Sequence, residues 1–558
     1  MDDVVSMGLV ALTAILTSIA VVPIMSYILQ RRYVRAVARG MASPAGVPGP
    51  AGARVVVRPT AMPDQSVAHP EIWRSTGAIP LLTEEPLAQT AGSITLVSRA
   101  VSASRHAAVS YVIAGTIFGT WSAATWAAAI MVSAFMIDPG MLRNPFTLIL
   151  GILVIFVFAL IFAPLFAWPL VPTLVALKLL DARTKKIVLI LLAIGCAVLI
   201  VVAAPLLLLA GLPAAMIALF MAPAFRGVAW FITPVSLAAG LLFFGALSIP
   251  FASTPESRVN VSLGLGLAVL IAVGRTWLVV HRYARKQLSD DTLMISQWWF
   301  VQILMLMSIA MVFSVWAGAC CFLAFVGFTV TLSRRLRRLQ KRALGVPPVR
   351  LLMLRTFGHR RRSSQLLNNV ASNWRWIGSI EVIASDDIAA ATLEPHEFID
   401  YLRGRLDSRF IRDMGTLERR LATLDLAPDS DGRYRINDLF CKDNIWRETL
   451  QRLVAESAAV LIDLRGFGVG NVGVAYEIEQ LAIMCQLNRV VAIVDETTSV
   501  GLLQETVRRA SRGREVNWTF EGELPRLRMI HVGRARKLSA AMIFDALCRC
   551  ATQPQIRA

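Results

Sequence analysis

The chain has 558 residues, of which 56% are hydrophobic and 17% charged, with a mean hydropathy of +0.60. Soluble domains carry roughly 45–50% apolar and about 25% charged residues, so this chain is too apolar to be soluble throughout, and low-complexity disorder is excluded with it. Seven cysteines, none in CxxC spacing, exclude a disulfide-stapled scaffold and a zinc ribbon. The net charge of +19 does not describe a nucleic-acid-binding face: residues 1–347 hold 26 Lys/Arg against 11 Asp/Glu, whereas 348–558 hold 30 against 26. Most of the excess therefore sits between apolar runs, where basic residues mark cytoplasmic loops.

A membrane-crossing helix needs roughly 20 apolar residues. Runs of that order lie at 5–28, 110–136, 147–177, 187–210, 228–250, 259–281 and 299–332, which gives seven crossings. The first, within 1–30, reads as an uncleaved anchor with its N-terminus outside. Asp2 and Asp3 precede its apolar stretch and Arg31, Arg32, Arg35 and Arg39 follow it, the reverse of a signal peptide. A cytoplasmic insertion at 31–109 follows, with a Pro/Gly-rich spacer at 43–50. The other six runs form a multi-pass region, 110–332, closed by a basic juxtamembrane linker at 333–346.

The clusters Lys178 to Lys186 and Arg334 to Arg342 fall inside under seven crossings, but Arg275, Arg282, Arg285 and Lys286 fall outside. Splitting 187–224 at Pro205 and 299–332 near Ala317-Gly318 gives nine crossings and moves that cluster inside. Both counts put the C-terminal half in the cytoplasm, with the chain in a plasma membrane of bacterial inner-membrane type. Arg275 reads as a boundary residue that snorkels. It is the one Asp, Glu, Lys or Arg within the runs, which leaves a transport pathway unsupported.

From 347 to 558 short apolar runs alternate with amphipathic helices. Strands are expected at 350–355, 379–384, 458–464, 489–494 and 527–532, and helices near 362–375, 395–420, 442–457, 473–487, 500–511 and 537–550. Runs such as 458–462 and 489–494 are apolar on both faces, as a buried parallel sheet requires. The fold class is thus a multi-pass α-helical membrane region plus a C-terminal three-layer α/β domain with a mainly parallel sheet. Ligands of such sheets bind beyond the carboxyl ends of the strands. Those ends hold Arg355 to Gly358, Ser385 to Asp387, Asp463 to Gly466, and Asp495-Glu496, a polar set suited to a phosphate-bearing small molecule. His359 to Arg362 reads as a solvated basic turn, or as a surface that touches acidic lipid headgroups.

Gly468, Gly470 and Gly473 spell GxGxxG, and Asp495 lies 22 residues beyond the last glycine. That is the form of the dinucleotide fingerprint. Three features oppose it: the strand ends before Arg465-Gly466-Phe467, Glu477 stands where a small residue belongs, and the motif falls late in the domain.

The segment Asn471-Val472-Gly473-Val474-Ala475-Tyr476-Glu477, after a strand ending in Asp463, resembles the glycine loop and helix-borne glutamate of nucleoside deoxyribosyltransferases. It is similar also to the TIR-like domains that cleave nicotinamide from NAD. The resemblance covers about 440–510. It implies an N-glycosidic bond as the point of attack, NAD or another nucleotide as substrate or ligand, and Glu477 as the central carboxylate beside the sugar carbon. A carboxylate there compensates positive charge developing on the anomeric carbon. Asn471 stands where the deoxyribosyltransferase loop usually has an acid, so a second carboxylate has to come from Asp463, Asp443 or Asp387.

Around these two acids, Gly468, Gly470, Asn471 and Gly473 form the loop. Trp446 and Tyr476 are candidates to stack on a base, and Arg355 and Arg465 to hold phosphate through their planar forks. Asp387 is a further ligand contact. No His/Cys set has metal spacing. Expected partners are the lipid bilayer and a small nucleotide or nucleoside, not nucleic acid, with a homo-oligomer compatible. Two rival readings keep the same fold: a non-catalytic nucleotide sensor, and a transporter regulated by its α/β domain.

Overall fold

A computed structural model describes residues 2–41, 82–83, 88–137, 145–167, 170–179, 186–187, 190, 227–248, 255–313, 315–355, 360–384, 393–442, 445–484, 487–512, 527–533 and 539–553. The split expected at Pro205, and the candidates Asp387 and Asp443, lie outside these residues. Among them the protein is mostly helical, with a parallel sheet of seven strands in the C-terminal region. These are β2 (Leu351–Arg355), β3 (Ile380–Ala384), β4 (Phe410–Ile411), β5 (Ile436–Cys441), β6 (Ala459–Asp463), β7 (Val490–Val494) and β8 (Leu527–His531). The insertion adds β1 (Leu82–Thr83), paired with Leu527 and Arg528 at one edge.

The order across the sheet is β1-β8-β7-β6-β2-β3-β5-β4, and all pairs are parallel. From β2 the chain builds one half of the sheet through β3, β4 and β5. It then crosses to the other side of β2 for β6, β7 and β8. The reversal falls between β2 and β6, and in parallel α/β sheets a crevice opens there at the strand ends. Arg355 and Asp463, the last residues of the two strands, are register partners at that point.

Alternating side chains divide the sheet between two cores, as strand pleating demands. Leu352, Leu354, Val460, Ile462, Ala492 and Val494 pack under helices Trp446–Glu456, Val472–Ile483 and Val500–Arg512. Leu351, Met353, Leu461 and Ile493 share the opposite core with Trp374, Phe544 and Leu547.

Five of the expected strands are present within a residue or two, but β4 and β5 were not foreseen. Buried Asn437 and Asp438 interrupt the apolar pattern of β5. The single helix expected over 395–420 is broken. Pro395–Leu402 ends before Gly404, whose φ of +67° suits glycine, and β4 precedes a second helix at Met414–Ala422.

The helices of the N-terminal half run toward and away from this domain. Asp2–Met41 ends against it, where the Tyr33 hydroxyl donates to Glu397 at 3.5 Å. Ala91–Ile137 begins at it, with the Thr90 and Thr552 hydroxyls 3.0 Å apart. Pro145–Phe166 packs back along that helix so closely that a Cβ on Gly119 would sit 2.5 Å from the Ala163 carbonyl oxygen. The chain returns at Lys178, which donates to the Asn368 carbonyl at 2.9 Å. Helix Pro255–Ala284 also ends at the domain, where Lys286 donates to the Ala427 carbonyl at 3.0 Å and pairs with Asp425.

The run at 299–332 is two helices, Asp290–Phe313 and Val315–Leu344. They fold back as a hairpin, with Trp299 stacked on Phe328 at 4.1 Å and Phe300 5.7 Å from Phe325. Both feet of the hairpin stand on the domain. Arg375 donates to Asp290 at 3.1 Å, Arg433 pairs with Asp291, and the Tyr434 hydroxyl donates to the Ala343 carbonyl at 3.3 Å. Arg275 does not snorkel: its guanidinium donates to the Ser296 carbonyl at 3.0 Å and Gln297 Oε1 at 3.1 Å, and lies 3.8 Å from the Phe300 ring centroid. By length and composition, Ala91–Val132 and Ala319–Leu344 are the described helices that meet the requirement for crossing a membrane.

Candidate functional site

The strand β6 delivers Asp463 to the sheet edge, and the chain then has to turn sharply into a helix. Leu464 continues inward, its amide donating to the Ile493 carbonyl at 2.8 Å, and Gly466 takes φ +79°, a conformation glycine adopts without steric cost. That turn returns Phe467 to the core, where it is fully buried and its carbonyl accepts from Ser499 N at 2.8 Å. Phe467 therefore pins the loop from below, and the glycine-rich stretch lies above it.

Gly468 and Asn471 close that stretch reciprocally: Gly468 N donates to Asn471 Oδ1 at 2.9 Å, and Asn471 N to the Gly468 carbonyl at 3.0 Å. Asn471 is the N-cap of Val472–Ile483, yet its side chain is spent on the loop and makes no cap bond to the helix. The first helical turn also holds no acidic residue. Its amides, the positive end of the helix dipole, are thus left without a carboxylate from the chain's own first turn. A Cβ at Gly468, Gly470 or Gly473 would meet nothing within 4 Å, so the loop's upper side is open, and Val469 and Val472 project there, 69% and 75% exposed.

Glu477 lies one turn further along this helix, 4% exposed. Its Oε2 has no hydrogen-bond partner. Burial raises its carboxyl to about 8, against the opposing pull of the Arg355 guanidinium. At neutral pH the group is mostly a neutral acid, able to donate as well as accept. Arg355, 3% exposed, stands at the end of β2, beside Asp463 in register, so the crevice gathers Arg355, Asp463 and Glu477 with the glycine loop.

Asp463, expected as the second carboxylate, is engaged by Arg465 through Nε to Oδ1 at 2.7 Å and Nη2 to Oδ2 at 2.6 Å. Arg465 in turn spends its fork on Asp463 and on the Arg362 carbonyl at 3.2 Å. These two candidates hold each other. Trp446 and Tyr476 also meet each other, edge to face at 5.3 Å, with the Arg447 guanidinium 4.9 Å from the Tyr476 ring. Both rings are half-buried between the helices that carry them and pack against the core below.

Asp495 accepts from Thr497 N at 3.0 Å and from Thr497 Oγ1 at 2.5 Å, and lies 3.5 Å from Arg362. It shapes its own turn, and Gly466, not Gly468, makes the tight bend after β6, so the geometry departs from the dinucleotide fingerprint at both points. Arg362 was missed as a site residue; three arginines in a row at a strand exit were the available signal. Among the described residues no cluster of three His, Cys, Asp or Glu could hold a metal ion. A separate cavity of about 530 Å³, lined by Lys286, Pro347, Asp425 and Tyr434 among others, lies where the helices meet the domain, away from these strand ends.

No protein-family model, no curated protein and no solved structure matches this chain.

Proposed function

We propose that this is a multi-pass membrane protein whose cytoplasmic α/β domain binds a nucleoside or nucleotide in the crevice between the ends of β2 and β6 and cleaves its N-glycosidic bond. The observation that carries the reading is Glu477, a buried carboxyl with an unpartnered oxygen, beside Arg355 at the point where the sheet order reverses. Burial leaves the carboxyl protonated at neutral pH. A sugar carbon that gains positive charge draws it toward the carboxylate, which then stabilises that charge. The C1′–N bond breaks with its electron pair leaving on the base, the Glu477 proton passes to that base, or to solvent where the base is nicotinamide and leaves neutral, and water then gives its hydroxyl to C1′ and its proton back to Glu477.

The membrane part of the reading rests on side chains that water would not accommodate. On Pro145–Phe166 alone, Phe146, Ile149, Ile152, Phe156 and Leu160 are each more than 60% exposed. Leu270, Val273 and Trp277 add a second such stripe on Pro255–Ala284. A contiguous apolar face of that extent belongs against lipid or another protein. The hairpin at 290–344, and Lys178 and Gly227 both lying at the domain, favour nine crossings over seven. Nine crossings also bring Arg282, Arg285 and Lys286 to the cytoplasmic side, as charge asymmetry requires.

The test is full-length protein in detergent, incubated with NAD and a panel of nucleosides and nucleotides while free base is followed by chromatography. Base release that Glu477→Ala abolishes supports the reading. Binding of a panel member without release favours the sensor instead, and one observation already speaks for that second reading: Asp463 is tied to Arg465, so it is not poised as an independent second carboxylate. No binding and no release rejects both.

A further inference from the structure

One stripe of the hairpin's second helix changes its chemistry part of the way along. On Val315–Leu344 the exposed residues at i, i+3 and i+4 spacing run Leu323, Val326 and Val330, then Arg334, Arg337 and Lys341, with Arg338 beside them. The opposite side of these last turns, Leu332, Leu336 and Leu339, is buried. Most of the basic segment expected as a linker is therefore a continuation of the helix, and the packing that exposes the apolar stripe also turns the cations outward.

The same change occurs at the same level on two neighbouring helices. Gln340 donates to the Lys286 carbonyl at 3.3 Å, and Pro255–Ala284 runs toward the domain as Val315–Leu344 does. Counting back along both helices sets Trp277 about level with Val330, and Arg285 about level with Arg338. Trp277 is 65% exposed, and Arg285 is exposed as well. Ala91–Ile137 runs the other way. Its Arg99 donates to the Tyr434 hydroxyl at 3.4 Å, which donates to the Ala343 carbonyl at 3.3 Å, so the exposed Arg105 stands about level with Arg337. Val109, exposed and apolar, is one turn further from the domain. On all three helices the outer surface thus passes from apolar to basic in one layer, with a tryptophan at the boundary, as at the junction of hydrocarbon and headgroups.

The basic side of this layer lacks negative charge of its own. Val315–Leu344 contains no acid, and among the described residues no carboxylate pairs with Arg334, Arg337, Arg338 or Lys341. Arg334 and Arg338, and likewise Arg337 and Lys341, are i,i+4 pairs of like charge, which repel on a helix. A phosphodiester relieves that repulsion, and a guanidinium fork matches two of its oxygens. A zwitterionic headgroup brings a cation to the same place, whereas an acidic one does not.

We infer that Arg334, Arg337, Arg338 and Lys341 form a binding surface for acidic phospholipid, its phosphate among these side chains and its acyl chains along Leu323, Val326 and Val330. This rests on the reading of the helices as membrane-spanning and adds a selective requirement for negatively charged lipid.

The experiment takes the full-length protein in mild detergent, adds dioleoylphosphatidylglycerol or dioleoylphosphatidylcholine at equal mole fraction, and counts bound lipid by native mass spectrometry. Phosphatidylglycerol is expected to bind about tenfold or more tighter than phosphatidylcholine, since several cations act on one acidic headgroup. The preference shrinks as salt is raised. The Arg334→Gln/Arg337→Gln/Arg338→Gln variant reduces it to about twofold or less and leaves phosphatidylcholine binding unchanged. The salt series on the unaltered chain tests the same charge dependence without any variant. Equal affinity for the two lipids overturns the inference and leaves the membrane reading standing. A preference that survives the triple variant places the acidic lipid elsewhere, and so overturns the inference too. A chain that stays in solution without detergent and retains neither lipid overturns both.

Discussion

Asp463 and Arg465, two residues apart at the exit of β6, form a two-pronged ion pair at 2.7 and 2.6 Å. Their side chains are only 4% and 11% exposed, so each neutralises a charge that burial would otherwise penalise. Arg465→Met leaves the carboxylate without this partner and is expected to cost roughly 3 kcal/mol, whereas the double variant with Asp463→Asn recovers part of the loss. Thermal melts of the four proteins in one detergent form the cycle. A loss in the double variant equal to the sum of the two single losses would show that the pair contributes no coupling.

The glycines of the loop separate into two kinds. Gly466, at φ +79°, is needed for the fold: Gly466→Ala is expected to lower stability by about 1–2 kcal/mol through left-handed backbone strain. Gly470 has open space where a Cβ would go, so Gly470→Ala is expected to melt within about 0.5 kcal/mol of the wild type. If a nucleotide lies on the loop, the same methyl group meets the ligand and weakens binding. A Gly470→Ala protein that melts and binds like wild type would show that the ligand does not approach there.

The connection between helices and domain is built of charge. Asp290 and Arg375 are 2% and 5% exposed, and Asp290 also accepts from the Tyr283 hydroxyl at 2.5 Å. Arg375→Met strands a buried carboxylate, for an expected loss of about 3–5 kcal/mol. Because the network lies between the 290–313 helix and the sheet, the loss should appear as separate melting of the two parts. Calorimetry of the variant would show two transitions where the wild type shows one; a single transition shifted downward would mean the halves stay coupled by apolar packing alone.

The strands of the sheet were legible because 351–354, 459–462 and 490–494 are uninterrupted apolar runs, which buried parallel strands require. Strand β5 was not, since Asn437 and Asp438 break its run. Asn437 is there to hold the Asp425 backbone at 3.0 and 3.2 Å, a tertiary demand no local pattern announces. Glu477 stood out from its spacing to the glycine loop, but its burial could not be read from a helix that also carries Glu479. The pairing of Asp463 with Arg465 and of Trp446 with Tyr476 was hidden for the same reason: each residue type suits a ligand or a neighbour equally, and only the three-dimensional arrangement decides.

Glu477 makes the stability of the domain depend on pH in a direction opposite to most carboxylates. Burial raises its folded-state pKa to about 8, while an unfolded glutamate titrates near 4.3. Between those values the folded chain holds a proton that the unfolded chain has released. Stability from this residue therefore falls as pH rises through that window, by about 1.4 kcal/mol per unit at the steepest, and is flat on either side. Glu477→Gln keeps the shape and removes the titration. Melting curves from pH 5.5 to 8 should thus fall more steeply for wild type than for Glu477→Gln, with the variant the more stable of the two at pH 8. Parallel curves would mean that the carboxyl titrates as it does in the unfolded chain, and its use as a neutral acid would have to be abandoned.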